Sequence, residues 1–223
     1  MKLGIITDVH ESLEYLAKAI EALKAAGTDR IIFIGDACRM CEDLETTVAM
    51  LAAAGVEGVW GNHDFGLCQK ELSQESRERH SAALIQFMQQ LQPRLVVEDC
   101  HFTHIEPWLD TESLEDLWWC DGLPETQERL MQSFTAVAQR VLFIGHYHRW
   151  FLGTPAGLTH WRGEHAIELT AGIRHLVCIN ALCEGWCAIY DTENAVLTPI
   201  DLRVSTSSTR DCSSDIALQS QGT

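Results

Sequence analysis

The chain has 223 residues, 46% of them hydrophobic, with a mean hydropathy of −0.04. That describes an ordinary soluble globule, long enough to bury a sizeable core in one domain. Its 32 acidic residues against 16 basic ones leave a net charge of −16, so nucleic acid and anionic membrane surfaces bound through charge are excluded as partners, and any site for an anion must be local and metal-made.

Met1-Lys2 leads straight into an apolar strand; no signal peptide is read there, and the longest apolar runs are too short to span a bilayer. Residues 2–7 end in Asp8-Val9-His10. Residues 12–26 carry Leu13, Leu16, Ala17, Ile20 and Leu23 at helical spacing, with Ser12 as N-cap and Gly27 just past the end. A β-branched run at 31–34 leads into Gly35-Asp36, a second helix at 43–54 closes on Gly55, and the apolar run 56–60 stops at Gly61-Asn62-His63-Asp64. This βαβαβ rhythm predicts a parallel sheet. Residues 74–92 read as a third helix of core character, stopped at Pro93. A strand at 95–97 precedes His101-Phe102-Thr103-His104, and a helix with Leu130, Phe134 and Val137 leads to the strand 141–144 and Gly145-His146-Tyr147-His148. After Arg149 come short strands at 151–153, 165–169, 176–180, 186–190 and 195–204, which look like an antiparallel second sheet. The Ser-, Thr- and Gln-rich residues 205–223 read as a disordered tail after a domain at 1–204. Nine cysteines, an odd number without framework spacing, read as reduced thiols in a cytoplasm.

Five of these segments share one construction: an apolar run of strand length ends in Asp, Asn or His. Taken singly, Gly-Asn is also a turn signal and Asp-x-His a satisfied polar pair at a strand end. In Asp8-x-His10 and His146-x-His148, however, the two-residue spacing puts both side chains on one face of an extended strand. The C-terminal ends of strands are where open α/β sheets gather their sites. Together the five point to a metal centre.

The same residues resemble the calcineurin-like metallophosphoesterases, whose motifs run Asp-x-His, Gly-Asp, Gly-Asn-His-Asp or -Glu, a lone His, then Gly-His-x-His; all occur here in order from Asp8 to His148. The resemblance implies a four-layer α-β-β-α sandwich with two mixed β-sheets. It implies that Asp8, His10 and His148 hold one metal, that Asn62, His104 and His146 hold a second, that Asp36 bridges them, and that His63 stands over the leaving group. Two divalent ions so held would supply a hydroxide nucleophile at neutral pH, and His63, titrating near neutrality, would protonate the departing oxygen. Imidazole, amide and carboxylate without thiolate favour Mn²⁺ or Fe²⁺, with Zn²⁺ or Ni²⁺ left open.

Departures from the protein-phosphatase branch narrow the substrate. Where that branch has Gly-Asp-x-x-Asp-Arg-Gly, this chain has Gly35-Asp36-Ala37-Cys38-Arg39-Met40-Cys41, and Asp64 replaces its Glu. A phosphoprotein substrate is disfavoured. Asn180-Ala181-Leu182-Cys183 stands where many small phosphodiesterases of the family carry Asn-Pro-Gly-Ser, which leaves that loop's conformation open. The expected activity is hydrolysis of a small phosphate ester, a phosphodiester first, with phosphomonoesterase or nucleotide pyrophosphatase as alternatives on the same site. A catalytically dead scaffold is the rival of another class, and none of the seven ligands is lost. Asp64, Arg39 and Arg149 are further site candidates. So is Trp108 in the irregular, acidic segment 105–126, which reads either as an aromatic wall of the site or as packing under a long loop. Cys38-x-x-Cys41 reads as incidental, and His80, His101, His160, His165 and His175 as surface or packed histidines.

Overall fold

The computed structural model describes residues 1–119 and 124–204. Along them run β1 (Lys2–Ile6), α1 (Leu13–Ala25), β2 (Arg30–Ile34), α2 (Leu44–Ala53), β3 (Glu57–Val59), α3 (Phe65–Cys68), α4 (Gln74–Arg79) and α5 (Ala82–Met88). Then come β4 (Leu95–Val97), β5 (Cys100–Phe102), α6 (Leu114–Leu117), α7 (Gln127–Ala136), β6 (Val141–Ile144), β7 (Phe151–Thr154), β8 (Gly157–Leu158), β9 (Ile167–Glu168) and β10 (His175–Cys178). A 3-10 turn at Leu182–Glu184, β11 (Trp186–Asp191) and β12 (Val196–Asp201) complete them. The strands form two six-stranded mixed sheets, ordered β3-β2-β1-β11-β12-β9 and β4-β5-β6-β10-β7-β8.

Side-chain alternation along the strands stacks the layers. Leu3 and Ile5 of β1 and Ile32 and Ile34 of β2 join Val141 and Phe143 of β6 and Val177 of β10 in a core between the two sheets. The intervening residues face outward: Ile6, Ile31 and Phe33 pack on Leu16 and Leu23 of α1 and Leu44, Val48 and Leu51 of α2. On the other side, Leu142, Ile144 and Leu176 meet Leu130 and Phe134 of α7. This is the expected α-β-β-α sandwich. Each of these buried side chains contributes roughly 1.5–3 kcal/mol, which lets strands of two to six residues pair stably.

Three expectations need correction. Residues 74–92 form two helices, because His80 and Ser81 are extended and the Ser81 hydroxyl caps α5, accepting from the Leu84 N–H at 3.1 Å. The strand leading to His104 is β5; residues 95–97 form its antiparallel neighbour β4. The short strands after Arg149 are not one sheet: β10 pairs parallel with β6, and β7 and β8 follow it, whereas β11 pairs antiparallel with β1 and carries β12 and β9. The expected β1-β2-β3 parallel arrangement is present. The tail 205–223 lies outside the described residues. No helix among the described residues is long and apolar enough to cross a membrane.

Candidate metal centre

The C-terminal ends of β1, β2, β3, β5 and β6 deliver Asp8, Asp36, Asn62, His104 and His146. Backbone conformation there is unusual. Asp8, His10, Asp36, His146 and His148 all have φ between 45° and 69°, a left-handed region that costs side-chain-bearing residues energy and concentrates at functional sites. Hydrogen bonds tie these turns together: the Asp8 N–H donates to the Gly35 carbonyl (2.9 Å), the His10 N–H to Asp36 (3.0 Å) and the Gly145 N–H to His104 (3.1 Å). A Cβ on Gly61 would stand 2.0 Å from Asp36 Oδ1, so only glycine lets the end of β3 pass this carboxylate.

The side chains converge in two groups. In the first, His148 Nε2 lies 3.3 Å from Asp8 Oδ1 and 3.3 Å from His10 Nε2. In the second, Asn62 Oδ1 lies 3.0 Å from His104 Nε2 and 3.1 Å from His146 Nδ1, and those two nitrogens are 3.3 Å apart. Asp36 Oδ2 touches both groups, 3.3 Å from His104 Nε2 and 3.8 Å from His10 Nε2. The outward nitrogens are anchored: His10 Nδ1–H donates to the Cys38 carbonyl (3.0 Å) and His104 Nδ1–H to that of Ile34 (2.6 Å). That fixes Nε2 as the lone-pair nitrogen facing inward, the usual arrangement behind a metal-bound imidazole. Asp8 Oδ2 accepts from Thr7 Oγ1 (2.7 Å) and the His146 N–H (3.1 Å), while Oδ1 is buried without a hydrogen bond among the described residues. An orphaned carboxylate oxygen, four imidazoles, a neutral amide oxygen and a shared carboxylate suit two divalent cations.

Electrostatics agree. Burial alone would raise Asp36, yet the charge and hydrogen bond of His104 hold it at about 2. Burial would likewise raise Asp8, but the neighbouring His148, 3.3 Å from Oδ1, and then His104 keep it below its ordinary value. Burial lowers His104, but Asp36 overrides it and lifts the imidazole to about 9. His148, beside the Asp8 carboxylate and Cys183, rises to about 11. His146, buried and facing His104, falls to about 4. Ionised carboxylates that draw protons onto His104 and His148 make a site that favours positive charge, which a bound cation would supply in place of those protons.

Of the other expected residues, Asp64 is fully buried and organises backbone. Its carboxylate accepts from the N–H groups of Asp36 (2.6 Å), Ala37 (3.0 Å), Cys38 (3.2 Å) and Gly61 (3.2 Å), which holds the loop carrying Asp36 against the end of β3. Burial and the facing Asp36 push it up to about 6. The His63 N–H donates to Asp36 Oδ1 (3.0 Å), and its half-buried ring stands at the rim, 4.9 Å from that of His10; burial lowers its pKa. Arg39 is exposed, fixed by its backbone N–H to Glu11 (2.7 Å), and Arg149 is engaged with Glu125 at 3.5 Å. Neither enters the two groups. Trp108 packs against Trp119, ring centres 5.3 Å apart, beside the core of α1 and α2. Trp118 instead lies at the rim, its ring centre 4.9 Å from that of His63.

Sequence reasoning missed two supports. Glu11 receives five consecutive N–H groups, residues 39–43, on its two carboxylate oxygens at 2.7–3.0 Å, pinning the loop after Asp36. Those amides saturate it, so its proximity to Cys38 and Cys41, whose sulfurs are 3.0 Å apart, leaves no oxygen for a further ion. Glu106 takes Arg129 Nε at 2.6 Å and the Tyr147 hydroxyl, tying the segment after His104 to the turn between His146 and His148. A carboxylate just after each ligand was the available signal. The 3-10 turn at Leu182–Glu184, despite lacking Pro-Gly, docks by N–H bonds from Leu182 to Thr7 (2.8 Å) and from Cys183 to Asp8 (3.1 Å).

The calcineurin-like phosphoesterase superfamily domain matches residues 1–161. Comparison with curated protein sequences returns no match. Among solved structures, a metallophosphoesterase from Sphaerobacter thermophilus is similar with a TM-score of 0.70 at 20% identity, covering 89% of this chain and 86% of that one. A putative diadenosine tetraphosphatase aligns with a TM-score of 0.54 at 16% identity, covering 89% and 93%. An archaeal phosphodiesterase aligns with a TM-score of 0.51 at 17% identity, covering 90% and 99%. At these identities the structural likeness speaks for the fold.

Proposed function

The chain belongs to the calcineurin-like phosphoesterase superfamily and is a metal-dependent phosphoesterase, and from that premise we propose that it hydrolyses small phosphodiesters with two divalent cations, Mn²⁺ or Fe²⁺ first. The observation that carries this reading is the pair of donor groups that share Asp36, with Asp8 Oδ1 left without a hydrogen bond among the described residues. Asp8, His10 and His148 would hold one cation, Asn62, His104 and His146 the other, and Asp36 both. When bound, the cations lower the pKa of water and neutralise charge on the phosphoryl oxygens. The protein supplies the rest. Asp64 and Glu11 keep the Asp36 loop in place, so the shared carboxylate needs no reorganisation during reaction. His63, tethered by its backbone N–H and with its ring at the rim, delivers a proton to the leaving oxygen. Diesters lead over monoesters and pyrophosphates by analogy with small members of the family. A cytoplasmic setting belongs to the same proposal, in keeping with the unpaired described cysteines.

The test is to strip the protein with chelator, return Mn²⁺, Fe²⁺, Zn²⁺, Ni²⁺ or Mg²⁺ singly, and assay diester, monoester and pyrophosphate substrates beside elemental analysis. Two ions per chain and recovery on the diester with Mn²⁺ or Fe²⁺ are expected. Undiminished hydrolysis by metal-free protein would refute the mechanism; a higher kcat/KM on the monoester or pyrophosphate would move the substrate class. Two bound ions with no hydrolysis of any ester would favour the scaffold.

A further inference from the structure

Trp118 is half exposed, and it is the only aromatic side chain among the described residues that stands out so far. A single exposed indole is ordinary in itself, but one held against a reactive imidazole offers a flat apolar face to a group bound there. Its setting is built. Ser113 caps α6, accepting from the Asp116 N–H at 3.3 Å, and Asp116 Oδ2 accepts from the Asp110 N–H at 2.8 Å. Leu117 is fully buried, and Trp119 turns inward beneath the Arg129 guanidinium, 4.7 Å away. The two flanking residues anchor the segment, and Trp118 between them faces out to His63, ring centres 4.9 Å apart with the planes tilted by 57°. Since His63 is 4.9 Å from the His10 ring, Trp118 sits on the rim within about one nucleoside's length of the metal centre.

We propose that Trp118 is the platform for the leaving group and that the substrates are phosphate esters of nucleosides, the base stacking on the indole while the 5′ oxygen is protonated by His63. This rests on the phosphodiesterase reading and on His63 as the leaving-group acid: a group that must lie against His63 to be protonated lies against Trp118 as well. Stacking accepts any base, because every base offers a flat face.

Methyl adenosine 5′-phosphate and the methyl ester of ribose 5-phosphate differ only in the base. With Mn²⁺-loaded wild-type protein the KM of the adenosine ester is expected to be lower by about tenfold or more. Trp118→Ala brings the two KM values together, and Trp118→Phe retains most of the gap. Equal KM values in wild type, or a gap that survives Trp118→Ala, overturns the inference. Should neither ester turn over, the phosphodiesterase reading fails, and calorimetric titration of the Mn²⁺-loaded protein with adenosine 5′-monophosphate decides the platform separately. Binding about tenfold weaker in Trp118→Ala upholds it; equal Kd values overturn it.

Discussion

Replacing Asp64 by Asn sets two effects against each other. The carboxylate is buried and faces Asp36, which with burial moves its pKa from the ordinary 3.8 to about 6. At ~1.4 kcal/mol per pH unit, its charge at neutral pH is unfavourable by roughly 3 kcal/mol in metal-free protein. Asn removes that cost. It also exchanges one oxygen for an NH₂, and each oxygen now accepts two backbone N–H groups: Oδ2 from Asp36 and Gly61, Oδ1 from Ala37 and Cys38. Two buried donors would be orphaned at ~1–3 kcal/mol each. In metal-free protein the two effects nearly cancel, and the melting temperature is expected to stay within a few degrees of wild type. Two dications beside Asp36 remove the repulsion and leave only the loss. The variant should therefore show a smaller metal-induced rise in melting temperature and about 100-fold weaker overall metal binding, the equivalent of roughly 3 kcal/mol. Calorimetric scans with chelator and with saturating Mn²⁺, with a metal titration of each protein, read this out. A metal-induced rise equal to that of wild type, or destabilisation confined to the metal-free protein, would reverse the ranking of the two effects and refute the argument.

Two further predictions concern histidines. His63→Ala keeps the N–H that bonds Asp36, so metal content should be retained while hydrolysis of an alkyl ester falls ~10²–10⁴-fold. A nitrophenyl ester, whose leaving group needs little protonation, should lose much less, and equal losses would assign His63 a structural role. His101 is buried with both ring nitrogens unpartnered among the described residues, and burial, then Arg94, lowers it to about 4 from 6.5. The unfolded chain then binds a proton between pH 6.5 and 4 that the folded protein refuses, so stability is lost as pH falls through that window, by up to roughly 3 kcal/mol. His101→Leu should flatten this slope in urea unfolding under chelator; an unchanged slope would place the acid sensitivity elsewhere.

Local chemistry made the centre legible in advance. Apolar runs that end in Asp, Asn or His recur along the chain and are informative taken together, and all seven expected donors arrive in the two groups. The helices α1 and α2 and the parallel order β1-β2-β3 were readable for the same reason, since each lies in a continuous stretch with its own period and stop signal. The partners of β7 to β12 were not, because strands of two to six residues carry no mark of which edge they join; that β10 lies parallel to β6 and β11 antiparallel to β1 is decided by which apolar face the sandwich core can take. Nor could residue order tell that Trp118 reaches His63 while Trp108 and Trp119 turn into the core. In an irregular segment no period assigns faces, and only the packing of Leu117 and Arg129 around it fixes which indole remains outside. The residues alone determined which polar side chains end the strands; the meeting of two sheets decided that they converge and what stands beside them, because contacts between segments far apart in the chain are set by the shape of the whole core.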